Sequence, residues 1–267
     1  MSVNRILPAS LSPRRRTRHG RRRIPSLLGL LPLALGLLIW QLVQTGQSAY
    51  FPRPSLWVGA IVDLWNRGVL MPAFWATVSS FVVSFVIASF FGAVIGMLVG
   101  RSPLANKLTG PVFEFCRALP AAAVVPMAVL FGGYTANMKV AVVVFAAIWP
   151  VLLTVQAGAR GLQSARLDLG RSMRLSKWQS LTKILIPSMV PAILLGVRVA
   201  APIVLIIVLL VEIITQVPGL GGLLALAQQS YRAAEVYGIV AIASLLGLLT
   251  NVLVSAIEAV ALRYEPE

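Results

Sequence analysis

Histidine, cysteine and charged residues are scarce in this sequence, and each shortage excludes a class of site or environment. The only histidine is His19 and the only cysteine is Cys116. Histidine-based triads, histidine-rich metal sites and intrachain disulfides are therefore excluded from the body of the chain. Only 12% of the residues are charged, about half the share in a soluble domain. Water alone could not solvate such a surface, so the lipid bilayer must be part of the solvent.

The short motifs of nucleotide- and metal-dependent enzymes are also missing. The phosphate-binding pattern G-x-x-x-x-G-K-[ST] does not occur, and neither do H-E-x-x-H, C-x-x-C or G-x-S-x-G. We therefore predict no catalytic residue, no metal ligand and no cofactor in this chain. Energy from ATP would have to come from another subunit.

Six long apolar runs, uncharged except for Arg198 in the fifth, predict an all-α, polytopic membrane helix bundle, because about 20 apolar residues cross a bilayer. The predicted spans are residues 24–43, 68–100, 118–138, 140–159, 184–211 and 236–257. A further run, residues 213–231, is cut by Pro218 and three glycines, so we expect a re-entrant outer segment. Residues 53–71 are expected to form a short amphipathic helix on the outer face.

The distribution of Lys and Arg predicts the orientation. Residues 1–23 hold eight of the 23 bases, and the loop around residues 160–183 holds six more. Both termini are therefore expected in the cytoplasm. The predicted domains are a basic tail (1–23), a transmembrane domain (24–262) and a C-terminal segment (263–267).

The basic tail has two further interpretations. It could be a nucleic-acid arm, but its position directly before a span favours contact with anionic lipid, and no nucleic acid is expected as a partner. A charged start and an apolar core also fit a signal peptide, although the length of the apolar run favours an uncleaved span.

The longest polar stretch between spans, residues 156–187, is predicted to form two short helices joined by a turn. Ser164 can cap the first helix, with Asp168 near its positive end. Ser176 and Gln179 have the spacing of a capping box for the second. The stretch also contains the apolar residues Leu169, Met173, Leu175 and Trp178. Such a mixed surface suits docking to another protein; the alternative is a plain surface loop.

This stretch resembles the signature of binding-protein-dependent ABC permeases. That signature reads E-A-A, three residues, G, nine residues, I-x-L-P; here it reads Asp168-Leu-Gly-Arg-Ser-Met-Arg174, nine residues, Ile184-Leu-Ile-Pro187. The body of the chain resembles the branch that imports nitrate, sulfonates and taurine. The matching positions are Phe51-Pro-Arg-Pro-Ser55, Arg117-Ala-Leu-Pro120, Pro126, Pro150, Trp178, Pro187-Ser-Met-Val-Pro191, Gly196-Val-Arg198 and Glu212.

The resemblance implies a permease subunit in the bacterial inner membrane that forms the translocation pathway for a small solute. It also implies three partners: ATPase subunits, a second permease chain (the same or different) and an extracytoplasmic substrate-binding protein. The residues expected to couple to the ATPase are Asp168, Leu169, Gly170, Arg171, Met173, Arg174, Leu175 and Trp178. The signature glycine is replaced by Arg174, where a left-handed turn would cost a side-chain residue about 1 kcal/mol.

Charged residues within the spans are the candidates for the pathway. Arg198 either lines the pathway or forms a salt bridge in the bundle. Glu212, 14 residues later on the same predicted helix, is too far away to pair with it. Glu114 and Arg117 are expected to form a local ion pair. A repeat of glycines predicts close helix packing at Gly92, Gly96 and Gly100.

Two other functions are alternatives for a chain of this composition. An ion-driven secondary transporter would show unpaired acids in mid-span and internal repeats, and neither is clear. An intramembrane enzyme would need a nucleophile with its base, or a metal constellation, and the spans contain no histidine.

Overall fold

The computed structural model describes Gly29 and residues 31–44, 50–161 and 175–261. All regular secondary structure in these ranges is helical. The chain divides into two units, residues 1–45 and 46–267. The first unit contributes one described helix, α1 (Leu31–Val43), which has 13 residues and is apolar throughout except for Gln41.

The second unit contains nine helices in its described residues. They are α2 (Pro54–Asn66), α3 (Leu70–Arg101), α4 (Pro103–Ala118), α5 (Ala121–Gly132), α6 (Ala136–Gly161), α7 (Lys177–Ser180), α8 (Ile186–Thr215), α9 (Leu220–Gln229) and α10 (Ala233–Ala261). A single π-helical turn, Leu181–Leu185, joins α7 to α8. The fold class is therefore the predicted one, an all-α bundle.

Four described helices are long and apolar enough to cross a membrane: α3, α6, the continuous Trp178–Thr215 helix and α10. They correspond to the second, fourth, fifth and sixth predicted spans. The pair α4–α5 makes a fifth if it counts as one broken span. The first predicted span is described only as α1. The amphipathic helix expected within residues 53–71 is α2.

The third predicted span, residues 118–138, is corrected by the structure. Helix α5 has only 12 residues, about 18 Å of helix against the roughly 30 Å of hydrocarbon. It meets α4 at an angle of 91°. The cause is Pro120: a residue before proline avoids the helical region, and Leu119 is extended at φ −67°, ψ 121°. The chain therefore bends at Pro120, where the sequence predicted a continuous helix.

The interruption predicted in residues 213–231 is confirmed. Helix α8 ends at Thr215, and Gln216 adopts a left-handed conformation at φ 54°. After four residues the chain resumes as α9, a helix of 10 residues that is too short to cross a bilayer. The segment thus consists of a break and a short helix that packs back on the bundle.

The packing of α3 on α6 depends on the three glycines that the sequence analysis identified. A Cβ atom added at Gly96 would lie 2.5 Å from the carbonyl oxygen of Leu152, and one at Gly100 would lie 2.6 Å from that of Gln156. The two backbones approach each other because no side chain separates them. The close packing predicted for this face is confirmed.

We expect Gly96→Ala to loosen this contact. The added methyl meets backbone atoms of α6, which cannot rotate away, so the two helices must separate at a cost of about 1–3 kcal/mol. The matched control is Gly59→Ala on α2, where nothing lies within 4 Å of the new Cβ. The thermal midpoint of the detergent-purified chain should fall for Gly96→Ala and stay constant or rise for Gly59→Ala. Equal midpoints would contradict the packing argument.

Candidate functional site

A buried carboxylate, that of Glu212, joins three helices near the end of α8. Its side chain is 0% exposed. The Lys139 ammonium on α6 lies 2.9 Å from Oε1. The Thr77 hydroxyl on α3 donates to Oε2 at 2.8 Å. The backbone N–H of Gly221 on α9 donates to the same oxygen at 3.0 Å. A buried charge is costly unless it is paired and hydrogen-bonded, and these donors satisfy that condition.

The break between α8 and α9 takes part in the same network through its backbone. Leu220 N–H donates to the Thr77 hydroxyl at 2.8 Å, and the carbonyl of Pro218 accepts from Lys139 at 3.1 Å. The carboxylate lies at the N-terminal end of α9, where the helix dipole favours a negative charge. Glu212, Thr77 and Lys139, with this backbone, form what we call the Glu212 cluster.

Glycine is required where the break passes the carboxylate. A Cβ atom at Gly219 would overlap the Glu212 carboxyl group, and one at Gly221 would lie 2.5 Å from the carbonyl oxygen of Leu209. The glycines that suggested an interruption in the sequence thus also let the backbone approach the acid closely.

Sequence reasoning placed Glu212 on the pathway and missed its partners. In this conformation the Glu212 side chain is fully buried, so its pathway role stays a prediction. Lys139, only 2% exposed, was taken as a boundary between two spans. Their charges could have indicated the pairing. Glu212 and Lys139 are each an isolated charge beside apolar runs, and isolated buried charges of opposite sign tend to pair.

The other predicted pathway residue, Arg198, pairs across the bundle. Its Nη1 lies 2.9 Å from Oε2 of Glu258 on α10, which is 7% exposed, while the Arg198 side chain is 46% exposed. The geometry is that of a bundle salt bridge whose cation still reaches an open surface. The pathway role of Arg198 therefore also stays a prediction.

Three ion pairs among the described residues lie nearer the surface, one of them the local pair of Arg232 and Glu235 at 3.4 Å. The local pair predicted for Glu114 and Arg117 is confirmed, with Arg117 Nε at 2.6 Å from Glu114 Oε2. Arg67, which follows α2, lies 2.6 Å from Glu235 on α10 and ties the amphipathic helix to the bundle.

The predicted coupling segment, residues 156–187, is described at its two ends, residues 156–161 and 175–187. Six of its eight predicted residues lie outside the described residues: Asp168, Leu169, Gly170, Arg171, Met173 and Arg174. Leu175 is half-buried and Trp178 is exposed. The predicted capping box is confirmed: Gln179 N–H donates to Ser176 Oγ at 3.2 Å, and Ser176 N–H donates to Gln179 Oε1 at 3.0 Å.

The π-helical turn lies directly after this capping box. Its wider spacing is seen in the bond from Ile186 N–H to the carbonyl of Leu181. Pro187 has no N–H to give to the carbonyl four residues earlier, so an ordinary α-helical turn would lose a bond here in any case. The turn therefore lies between the capping box and the long helix α8.

Residues 88–262 match a known family, described as binding-protein-dependent transport system inner membrane component. This region holds α3 from residue 88 onward, α4 to α10 and the whole Glu212 cluster except Thr77.

Full-length relatives are similar over nearly the whole chain. A putative aliphatic sulfonates transport permease protein of Bacillus subtilis (strain 168) is 25% identical over 94% of this chain and 92% of its own length. A bicarbonate transport system permease protein of Synechocystis sp. is 28% identical over 85% of both chains. A nitrate import permease protein of Leptolyngbya laminosa is 28% identical over 89% of this chain and 87% of its own.

The charge pairing in the Glu212 cluster is testable by a double-mutant cycle of Lys139→Met and Glu212→Gln. Each single change leaves a buried group without its charged partner, and we expect a loss of about 3–5 kcal/mol in the free energy of unfolding. The double variant should lose less than the sum of the two. Thermal unfolding of the purified chain in detergent measures the losses of the two single variants and of the double variant.

The control for this cycle is the exposed pair. Glu114→Gln should cost no more than about 1 kcal/mol, because water already screens that interaction. Strictly additive effects at Lys139 and Glu212 would show that the two charges do not depend on each other.

Proposed function

The chain belongs to the binding-protein-dependent transport system inner membrane components, and on that premise we propose how this permease subunit of an ABC importer selects and moves its solute. We propose a small oxyanion as the solute class, with a second permease chain completing the pathway. The observation that carries this is the similarity, over nearly the whole chain, to permeases named for sulfonates, bicarbonate and nitrate. All three are small anions with several oxygens.

The charge of the chain agrees with an anionic solute. The formal net charge is +15. Lys139 and Arg198 are each paired with a glutamate, whereas Arg160 at the end of α6 has no carboxylate within ion-pair distance among the described residues. A positive potential along a pathway raises the local concentration of anions and opposes cations. The ion-driven secondary transporter weighed in the sequence analysis is not supported by the family.

We propose that residues 156–187 couple this chain to a separate ATPase subunit in the cytoplasm. The support is the resemblance of residues 168–187 to the permease signature, together with the exposed indole of Trp178 beside a fixed capping box. A large exposed aromatic ring on a rigid turn suits a protein interface. ATP hydrolysis would then belong to the partner, and an extracytoplasmic binding protein would deliver the solute.

The proposed orientation has both termini in the cytoplasm of a bacterial cell, in its inner membrane. It follows from the basic residues of the tail (1–23) and of the loop near residue 160. In this orientation α2 and α9 lie at the outer face and the coupling segment lies at the inner face.

Uptake by the reconstituted importer tests the solute class. The complex of this chain with its ATPase and binding protein, in proteoliposomes with ATP inside, should accumulate nitrate, methanesulfonate or bicarbonate. It should not accumulate a neutral sugar or an amine of similar size. The nucleotide-binding subunit should co-purify with the chain in mild detergent. Uptake restricted to a neutral or cationic solute would overturn the proposed class.

Coupling is testable at Asp168, the one carboxylate between residues 162 and 183. We expect Asp168→Lys to lower solute uptake at least ten-fold while the purified chain keeps its thermal midpoint, because the change reverses a charge outside the membrane spans. The matched control is Asp63→Lys, the same change at an exposed position of α2. Arg174→Gly, which restores the signature residue, should keep uptake. Equal uptake by both Asp→Lys variants would contradict the coupling role of Asp168.

A further inference from the structure

A polar cavity of about 320 Å³ lies between α4 and α6, away from the Glu212 cluster. Helix α4 contributes Asn106, Phe113 and Arg117, which recur at spacings of seven and four residues and so share one face. Helix α6 contributes Gln156 and Arg160, again four residues apart. Two amphipathic faces thus meet around the cavity, and its volume is near the lower end of the range for small-molecule sites.

The charge of this cavity is positive. Arg117 is neutralised by Glu114, which also lines the cavity. Arg160 has no carboxylate within ion-pair distance among the residues that the structure describes, and its one hydrogen bond there is to the amide oxygen of Asn106 at 3.4 Å. The cavity therefore holds one guanidinium charge in excess, with most of its N–H groups uncommitted.

Hydrogen-bond donors outnumber acceptors in the same place. The Asn106 amide oxygen accepts from Gln156 Nε2 at 2.7 Å as well as from Arg160. That oxygen is occupied twice, so the Nδ2 group of Asn106 is left to donate. Gln156 is only 6% exposed, and the additional donation from Arg160, which can only donate, assigns the oxygen of the Asn106 amide to this side. Nearby, Trp149 packs on Phe113, and its buried Nε1–H has no partner in the described part of the chain.

We propose that the cavity between α4 and α6 binds an oxyanion through Arg160 and the Nδ2 group of Asn106. A guanidinium presents parallel N–H groups that match two oxygens of a nitrate, carboxylate, sulfonate or phosphate group. A cation would meet the excess charge of Arg160, and a neutral solute would leave these donors without a charged acceptor.

Two sources could supply the oxyanion, and they share this chemistry. One is the transported solute; this version rests on the proposed function. The other is the phosphate of an anionic lipid. The face of α4 opposite the cavity exposes Leu104, Leu108 and Phe115, each at 67%. Such a face suits the acyl region of the membrane, which would hold the cavity near the headgroups.

The test is ligand-induced stabilisation of the purified full-length chain, because a ligand that binds only the folded state raises the unfolding midpoint. One arm titrates sodium methanesulfonate or sodium nitrate against sodium chloride at matched ionic strength. The other arm compares phosphatidylglycerol with phosphatidylcholine, added to delipidated protein. We expect a saturable rise in at least one arm, and the arm that responds identifies the source.

Variants tie the response to the cavity. Arg160→Gln should raise the half-saturating concentration at least ten-fold, the loss expected for one charge-assisted hydrogen bond of about 1.5–3 kcal/mol. Asn106→Ala should weaken the response as well, and provides a second variant. The matched control is Lys107→Gln, which removes one positive charge from an exposed position of α4 outside the cavity; it should respond like the wild type.

Several outcomes would overturn the proposal. A wild-type midpoint that is the same in all salts and both lipids would do so, and so would an Arg160→Gln variant that responds like the wild type. The proposed solute class fails separately, in the uptake assay. If the chain binds oxyanions in this cavity but the importer takes up none of them, the binding site stands and the proposed solute class is wrong. If the importer takes up oxyanions but the cavity does not bind them, the solute class stands and the binding site is wrong.

Discussion

The Glu212 carboxylate lies where water cannot reach it, and much of the second unit's geometry can be understood as the means of compensating that charge. Compensation needs a cation, so Lys139 places one end of α6 beside α8. It needs further donors, so Thr77 fixes α3 at the same point. The last donor, the N–H of Gly221, exists only because α8 stops and the chain folds back as α9. One buried charge thus sets the relative positions of four helices, and removing any donor leaves a group whose desolvation is not repaid.

Helices in a membrane gain little from burying apolar side chains against each other, because lipid tails are as apolar as the helices. Specific packing must therefore come from close backbone contact and from polar pairs. The first appears where Gly92, Gly96 and Gly100 bring α3 against α6. Polar pairs appear at two positions along α8: Arg198 joins Glu258 near the middle of the helix, and Glu212 joins its cluster near the end. The 14 residues between these two charges correspond to about 21 Å of helix, so α8 is held at two separate heights in the bundle.

Much of this architecture could be predicted from the sequence because it depends on local signals. Uncharged runs predict the long helices, and the spacing of Ser176 and Gln179 predicts a capping box. The bend at Pro120 was missed because the criterion was the absence of charge, which carries no information about backbone direction. The partner of Glu212 was missed for a different reason. Lys139 is 73 residues away along the chain, and only the tertiary fold decides which of several isolated charges meet. The cavity between α4 and α6 could not be predicted for the same reason. Asn106 and Arg160 lie on different helices, and nothing in the sequence indicates that they come together.

The position of α8 gives the Glu212 cluster a role in conformational change if the coupling segment is where the ATPase acts on this chain. From the π-helical turn at Leu181–Leu185, one helix of 30 residues, with Pro191 and Pro202 inside it, runs to the break at Gln216. A shift at the coupling end that is carried along this helix reaches Glu212. The Glu212 carboxylate cannot separate from Lys139 without exposing two buried charges. Only two responses avoid that cost: the cluster moves as one body, carrying α3, α6 and α9 with it, or it opens together with the entry of water. Either response is discrete, and a discrete response is what a permease needs to alternate between two closed arrangements.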